Sequence, residues 1–313
     1  MTDTRIEWAD AVWNPVTGCT RVSQGCANCY AETMARRMRG MAASGAPGAR
    51  IWADREFTDV RIHPERLEQP LHWRKPRRVF VNSMSDLFHE DVPQWFLYDV
   101  LDIVRRCPQH TFLVLTKRAR RMSEVDWHCA KNAQNYAAMP NLWLGVSVEN
   151  QATADERIPL LLQTPAAVRF VSAEPLLGPL NLTHCGEIDG HPLCCLDCHP
   201  LVQDQEKCIG IDWVIVGGES GPGARPCNVE WIRSIVRQCK EAAVPCFVKQ
   251  LGAMSVTADA ETSSEFNHCG VRLRLHPVLH PWFARMMFKH PKGADPAEWP
   301  EDLQVRQWLE VQP

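Results

Sequence analysis

The sequence predicts an α/β fold, a partial or full parallel (β/α) barrel that carries a Cys/His-rich insertion and a C-terminal extension. Three observations carry this expectation. Short β-branched or aromatic runs recur along the chain and alternate with stretches of helical periodicity. The runs are apolar on both faces, the pattern of strands buried between layers of helices in a parallel sheet. Nearly every run also ends in polar residues, as expected when strand C-termini converge on one central mouth rather than on the single switch point of a doubly wound sheet.

The elements follow in order. A first strand is expected before Cys19. Arg78-Val-Phe-Val-Asn82 is the next strand, followed by a helix from about Gln94 to Arg106. Thr111–Thr116, Leu142–Val148, Val168–Ser172 and Asp212–Gly217 read as further strands. A helix over Val229–Ala242 leads into the last strand, Pro245–Gln250. The polar strand ends are Ser83 and Asp86, Thr116 and Lys117, Ser147 and Glu149, Ser172 and Glu174, Glu219, and Lys249 with Gln250. Residues 1–254 are therefore assigned to the barrel, and 178–210 to an insertion that breaks its rhythm. Residues 255–313 form a polar, Pro-containing extension, expected to anchor through Trp282, Trp299 and Trp308.

Composition narrows the function classes. A net charge of −3 gives no global attraction to polyanions, so nucleic-acid binding would need local basic patches. Three short clusters qualify: Arg36-Arg37-Met-Arg39, Arg74-Lys75-Pro-Arg77-Arg78 and Lys117-Arg118-Ala-Arg120-Arg121, two of which flank strand ends near the expected mouth. The polar N-terminus lacks a signal-peptide core, and no stretch approaches the roughly 20 apolar residues of a membrane span, so a cytoplasmic location without membrane contact is expected. Fourteen cysteines in a reducing compartment point to metal rather than disulfides. Six of them (Cys107, Cys129, Cys227, Cys239, Cys246 and Cys269) are scattered and read as small buried apolar residues.

Cys19, Cys26 and Cys29 form a C-x6-C-x2-C group on the loop after the first strand. A short turn aims neighbouring thiolates at one metal centre, but structural zinc takes four ligands and no fourth lies nearby in sequence. Three thiolates on a [4Fe–4S] cluster leave one iron open, where S-adenosylmethionine (SAM) can bind through its amino and carboxylate groups. A zinc site completed from afar and a redox C-x-x-C are the alternatives. A second group lies within the insertion: Cys185, Cys195, Cys198 and Cys208 have spacings suited to a zinc knuckle, with a second iron–sulfur cluster as the rival. Gly217 to Gly223 lacks the Lys-Ser/Thr of a phosphate-binding P-loop, so nucleotide hydrolysis is not indicated.

Several segments carry a family resemblance. Ile6-Glu-Trp-Ala-Asp-Ala-Val-Trp-Asn-Pro-Val-Thr-Gly-Cys-Thr, running on to Cys29-Tyr-Ala-Glu32, resembles the opening of a phage-associated family of three-cysteine proteins of unknown function. Val81–His89, Gly145–Glu149, Ser172-Ala-Glu-Pro175 and Val216-Gly-Gly-Glu-Ser220 resemble the same family. The order of parts is also similar to spore photoproduct lyase and its radical SAM relatives. The cysteine loop departs from their common C-x3-C-x2-C by three residues, and their Gly-Gly-Glu on the second strand is absent.

The resemblance implies a barrel of radical SAM type. Cys19, Cys26 and Cys29 would hold the [4Fe–4S] cluster, and Asp86 with Ser83 would accept hydrogen bonds from the SAM amino group. Ser147 and Glu149 would lie near the SAM ribose or carboxylate. Glu174, Glu219 and Lys249, at the mouth, would orient substrate or donate a proton. It further implies an electron donor such as flavodoxin or ferredoxin. With the basic clusters, it points to a nucleobase in DNA as the substrate, for repair or modification. The alternatives are a non-catalytic nucleic-acid- or partner-binding protein with structural metal sites, and a radical SAM enzyme acting on a small molecule.

Overall fold

The computed structural model describes residues 4, 6–42, 45, 48–128, 136–137, 139–183, 187–188, 191–192, 196, 210–257, 272–275 and 284–309. Its main sheet has seven strands: β1 (Ala11–Trp13), β2 (Arg78–Val81), β3 (Thr111–Thr116), β4 (Leu142–Ser147), β5 (Val168–Ala173), β6 (Trp213–Gly217) and β7 (Cys246–Gln250). Each strand expected from the apolar runs is present, with ends shifted by at most one residue. The spatial order is β1-β2-β3-β4-β5-β6-β7, the order of the chain, in a parallel sheet. A doubly wound sheet reverses its order once; this one never does, and the topology is that of a partial parallel barrel.

Crossover segments supply the helices: α1 (Tyr30–Met41), α2 (Gln94–Arg106), α3 (Ala119–Ser123), α4 (Gln151–Gln163) and α5 (Val229–Glu241). The apolar stripe of α2 buries Phe96, Leu97, Val100, Leu101, Ile103 and Val104, positions spaced by three and four as a 3.6-residue period requires. In α5 the stripe is Val229, Ile232, Ile235 and Cys239, and the Asn228 side chain caps the helix by accepting from the Glu230 N–H.

The described chain divides into two compact units, residues 1–146 with 163–169, and residues 147–162 with 170–313. Trp13 packs edge-on against Phe112 in the first core, and its indole N–H donates to the Arg66 carbonyl. In the second, Trp213 and Phe247 pack together and against Trp308. Trp308 thus anchors the chain end as expected, and Trp299 is buried, its N–H donating to the Gly293 carbonyl. Trp282 lies outside the described residues. Three segments of the expected extension join Cys227–Asn228, from the part assigned to the barrel, in a small sheet in the order Cys227–Asn228, Ser255–Thr257, Ala284–Met287, Arg272–Leu275. Cys107, Cys227, Cys239 and Cys246 are buried, as their apolar reading anticipated; Cys129 and Cys269 lie outside the described residues.

Candidate functional site

The cysteine loop starts where β1 ends, and its first anchor is Gly18. That residue has φ +93°, and a Cβ there would lie 2.4 Å from the Asp59 carbonyl oxygen, so only glycine fits. Its N–H donates to the Met84 carbonyl and the Cys19 N–H to the Phe57 carbonyl. Buried Arg55 braces the preceding residue. One guanidinium nitrogen donates to Thr17 Oγ1 and the other to the Thr17 carbonyl, both at 3.0 Å, while the group stacks on Trp52. His63 reaches the same hydroxyl through Nε2 at 2.8 Å. The turn after β2 is equally determined. Asn82 adopts φ 62°, a left-handed conformation asparagine tolerates, and its side-chain oxygen accepts from the Val16 N–H.

Cys19, Cys26 and Cys29 are all half-buried free thiols. Cys26 ends a 3-10 turn with the Ser23 hydroxyl 3.9 Å from its sulfur, and Cys29 occupies the N-cap of α1. Burial pushes the Cys19 thiol up to about 12; the Asp86 charge adds to the rise and Arg118 opposes it. No three His, Cys, Asp or Glu side chains among the described residues converge on one point as a single metal ion requires. Three thiols on one loop fall short of the four ligands structural zinc takes and are the donor type of a [4Fe–4S] cluster with one iron left open.

Asp86 is the hub beside this loop. Its carboxylate accepts from the Phe88 N–H at 3.0 Å, from Thr116 Oγ1 at 2.8 and 2.9 Å, from the Lys117 N–H at 3.2 Å and from Arg118 Nη1 at 3.4 Å. These protein donors fill the lone-pair directions a carboxylate offers, so a cofactor amino group at Asp86 would have to replace one of them. Ser83, also assigned toward the cofactor, instead shares hydrogen bonds with the Asn14 side-chain amide.

Arg118, a residue that sequence reasoning placed only in a basic cluster, lies buried against the cysteine loop. Its side chain is 4% exposed. Besides Asp86 it donates to Cys19 Sγ at 3.4 Å, to Glu90 Oε2 at 2.8 Å, and to the Thr20 carbonyl and hydroxyl at 3.2 and 2.8 Å. Burial works against its charge, but Asp86, Cys19 and Glu90 outweigh it and move its pKa upward. His89 completes the group. Its Nδ1 accepts from the Asp91 N–H, which assigns the proton to Nε2, and Nε2–H donates to Thr20 Oγ1 at 2.8 Å. Burial, then the Arg118 charge, lowers the His89 pKa, so the ring is neutral at pH 7. A basic residue directly after the Thr-Lys strand end was the available signal for Arg118.

The basic clusters do not share one strand end. Parallel pairing of β2 with β3 places Arg74–Arg78 at the N-terminal end of β2 and Lys117–Arg121 beyond the C-terminal end of β3, correcting the expectation of a common rim. Arg78 pairs with Asp10, and Arg77 lies over the Trp73 ring. The α1 cluster differs. Arg36 and Arg39 line a cavity of about 150 Å³ with Trp52, Arg55 and Phe57, although they are paired there with Glu32 and Glu56.

The remaining predicted residues belong to the second unit. Glu149 is 1% exposed and forms a buried ion pair with Arg157 Nη1 at 3.2 Å; the same nitrogen donates to the Ser147 carbonyl at 2.7 Å. Glu219 accepts from the Arg225 backbone N–H and guanidinium, and is buried. Neither glutamate is presented as a free acid. Glu174 and Lys249 do meet: Lys249 Nζ lies 3.1 and 3.2 Å from the two carboxylate oxygens, and Ser172 Oγ donates to the same carboxylate. They come from β7 and the end of β5, on either side of β6, and the β6 residue between them is Gly217. A Cβ on Gly217 would lie 2.8 Å from Glu174 Oε1, so the missing side chain is what lets the pair form. Both are partly exposed, 13% and 30%, and so accessible to a ligand. Cys185, Cys195, Cys198 and Cys208, the expected second metal group, lie outside the described residues.

A family described as "Protein of unknown function (DUF5131)" matches residues 3–293. No curated protein and no solved structure matches the chain. No helix among the described residues is long and apolar enough to cross a membrane.

Proposed function

The chain belongs to the DUF5131 family of proteins of unknown function, and we propose that it is an iron–sulfur enzyme of radical SAM type acting on a nucleobase in DNA. The observation that carries the reading is the loop of three half-buried thiols after β1, set beside a buried arginine and aspartate. Its likeness in motif order to spore photoproduct lyase and radical SAM relatives supports the same reading.

Cys19, Cys26 and Cys29 would hold a [4Fe–4S] cluster. When bound, the cluster and SAM supply an electron and a 5′-deoxyadenosyl radical able to abstract hydrogen. The chain's own residues then have defined tasks. Arg118 balances anionic sulfur, Asp86 holds Arg118 and the β3 end in place, and neutral His89 fixes the Thr20 hydroxyl. Ser83, Ser147 and Glu149 would shape the cofactor side. Glu174 and Lys249, a partly exposed acid–base pair, would orient the substrate or hold a proton for it, while Glu219 would serve through Arg225. The arginine- and aromatic-lined cavity on α1 supports a nucleic-acid substrate, because it offers phosphate-pairing groups, Arg36 and Arg39, about two to three turns along the helix from Cys29.

The test is anaerobic purification, reconstitution with iron and sulfide, and assay of dithionite-dependent 5′-deoxyadenosine formation, with DNA present and absent. Production that disappears in the C19A/C26A/C29A variant is the expected result. Stoichiometric zinc with no bound iron would overturn the reading and favour a binding protein with structural metal. DNA affinity that ignores salt, or no DNA affinity, would remove the nucleic-acid substrate and leave a small molecule.

A further inference from the structure

We propose, building on the reading that Cys19, Cys26 and Cys29 hold an iron–sulfur cluster, that Arg118 is a positioning residue that orients Cys19 as a ligand and raises the reduction potential of the site. The guanidinium fork divides its donors among four partners on two segments, the cysteine loop and the turn after β2. Nε serves Glu90, Nη1 serves both Cys19 Sγ and Asp86, and Nη2 serves the carbonyl and hydroxyl of Thr20. It therefore grips the residue after Cys19 twice while donating to the Cys19 sulfur itself. The carboxylates on its other side fix its position: Asp86 is buried, bound by Thr116 and the Lys117 N–H, and Glu90 approaches from solvent.

The electrostatic consequence follows from burial. Adding one electron to a cluster adds one negative charge, and that charge spreads onto the ligand sulfurs. A hydrogen bond and a positive charge held 3.4 Å from one sulfur, on a side chain 4% exposed, favour the reduced state. Lysine keeps the charge but offers a single ammonium, which cannot reach Cys19, Asp86, Glu90 and Thr20 together. Glu90 works in the opposite sense. It is 63% exposed and partly neutralises the guanidinium, so its removal strengthens the pull on the sulfur while leaving the fold intact.

The experiment is iron quantification followed by redox titration, monitored by electron paramagnetic resonance, on reconstituted wild type, R118K and E90Q. In R118K the midpoint falls, by a tenfold or larger change in the reduced-to-oxidised ratio at fixed potential, about 59 mV for one electron. Folded R118K with less iron per chain supports the positioning half. In E90Q the midpoint rises with iron content unchanged. Wild-type iron content and midpoints in both variants would overturn the inference and leave the cluster reading standing. Absence of iron from the wild type would overturn the cluster reading itself, and the inference with it.

Discussion

Asp86→Asn is the most informative single change, because it separates a structural carboxylate from a ligand-binding one. In the native site the carboxylate is 6% exposed and takes four donors, one of them the buried Arg118 guanidinium. The amide of asparagine retains one acceptor oxygen and turns an NH2 toward groups that are themselves donors, the Lys117 N–H and Arg118 Nη1. Removing one partner of a buried ion pair costs about 3–5 kcal/mol, chiefly because the other charge is left uncompensated. Here the loss is partly offset, since Arg118 keeps Glu90 at 2.8 Å and the two Thr20 contacts. Glu90 is largely solvated, so its compensation is screened, and a net loss of about 2–4 kcal/mol is expected. The assay is urea unfolding of the metal-free protein followed by tryptophan fluorescence, with the loss read from the midpoint at unchanged m value. Working with metal-free protein keeps cofactor binding out of the measurement. A loss below about 1 kcal/mol, the ordinary worth of a single neutral hydrogen bond, would refute the hub argument and return Asp86 to the cofactor.

The other predictions concern separate regions. Gly217→Ala places a Cβ 2.8 Å from Glu174 Oε1 and 3.0 Å from the Gln250 carbonyl oxygen; it should cost about 1–3 kcal/mol and raise Lys249 labelling by an amine reagent, read by mass spectrometry. Unchanged labelling would mean that the small residue is not what permits the ion pair. Arg306 lies over the rings of Phe247 and Trp299, at 5.3 and 5.2 Å; Arg306→Ala should cost about 1–2 kcal/mol and lower Tm, and an unchanged Tm would show that the chain end does not depend on it. His63 and His110 both have pKa values lowered, first by burial, so the unfolded chain binds more protons than the folded one below pH 6.5. Their contribution is present above that value and is lost as pH falls toward the depressed folded values, by at most about 1.4 kcal/mol per pH unit for each histidine. Stability of the metal-free protein that does not drop between pH 7.5 and 5.5 would contradict this.

The strands and their order were legible because local chemistry is enough to specify them. Runs such as Thr111–Thr116 and Trp213–Gly217 are apolar on both faces, and that pattern has few outlets other than a parallel sheet covered by helices. The cysteine loop was legible for a similar reason, since thiols at close spacing carry their chemistry with them. Residue type and strand position also drew attention to Asp86, Glu149, Glu174, Glu219 and Lys249, but could not say what each would touch. That depends on partners far away in sequence. Arg157 reaches Glu149, Arg225 reaches Glu219, and Arg118 bridges Asp86 to Cys19 across 99 positions of chain. An arginine in a polar run looks the same whether it is solvated or buried, and only the packing of β3 beside β2 decides that Arg118 points inward. Gly217 is the converse case. Its function is an absence of atoms, visible only once Glu174 and Lys249 are seen meeting over it, because the space a missing side chain leaves has meaning only in three dimensions.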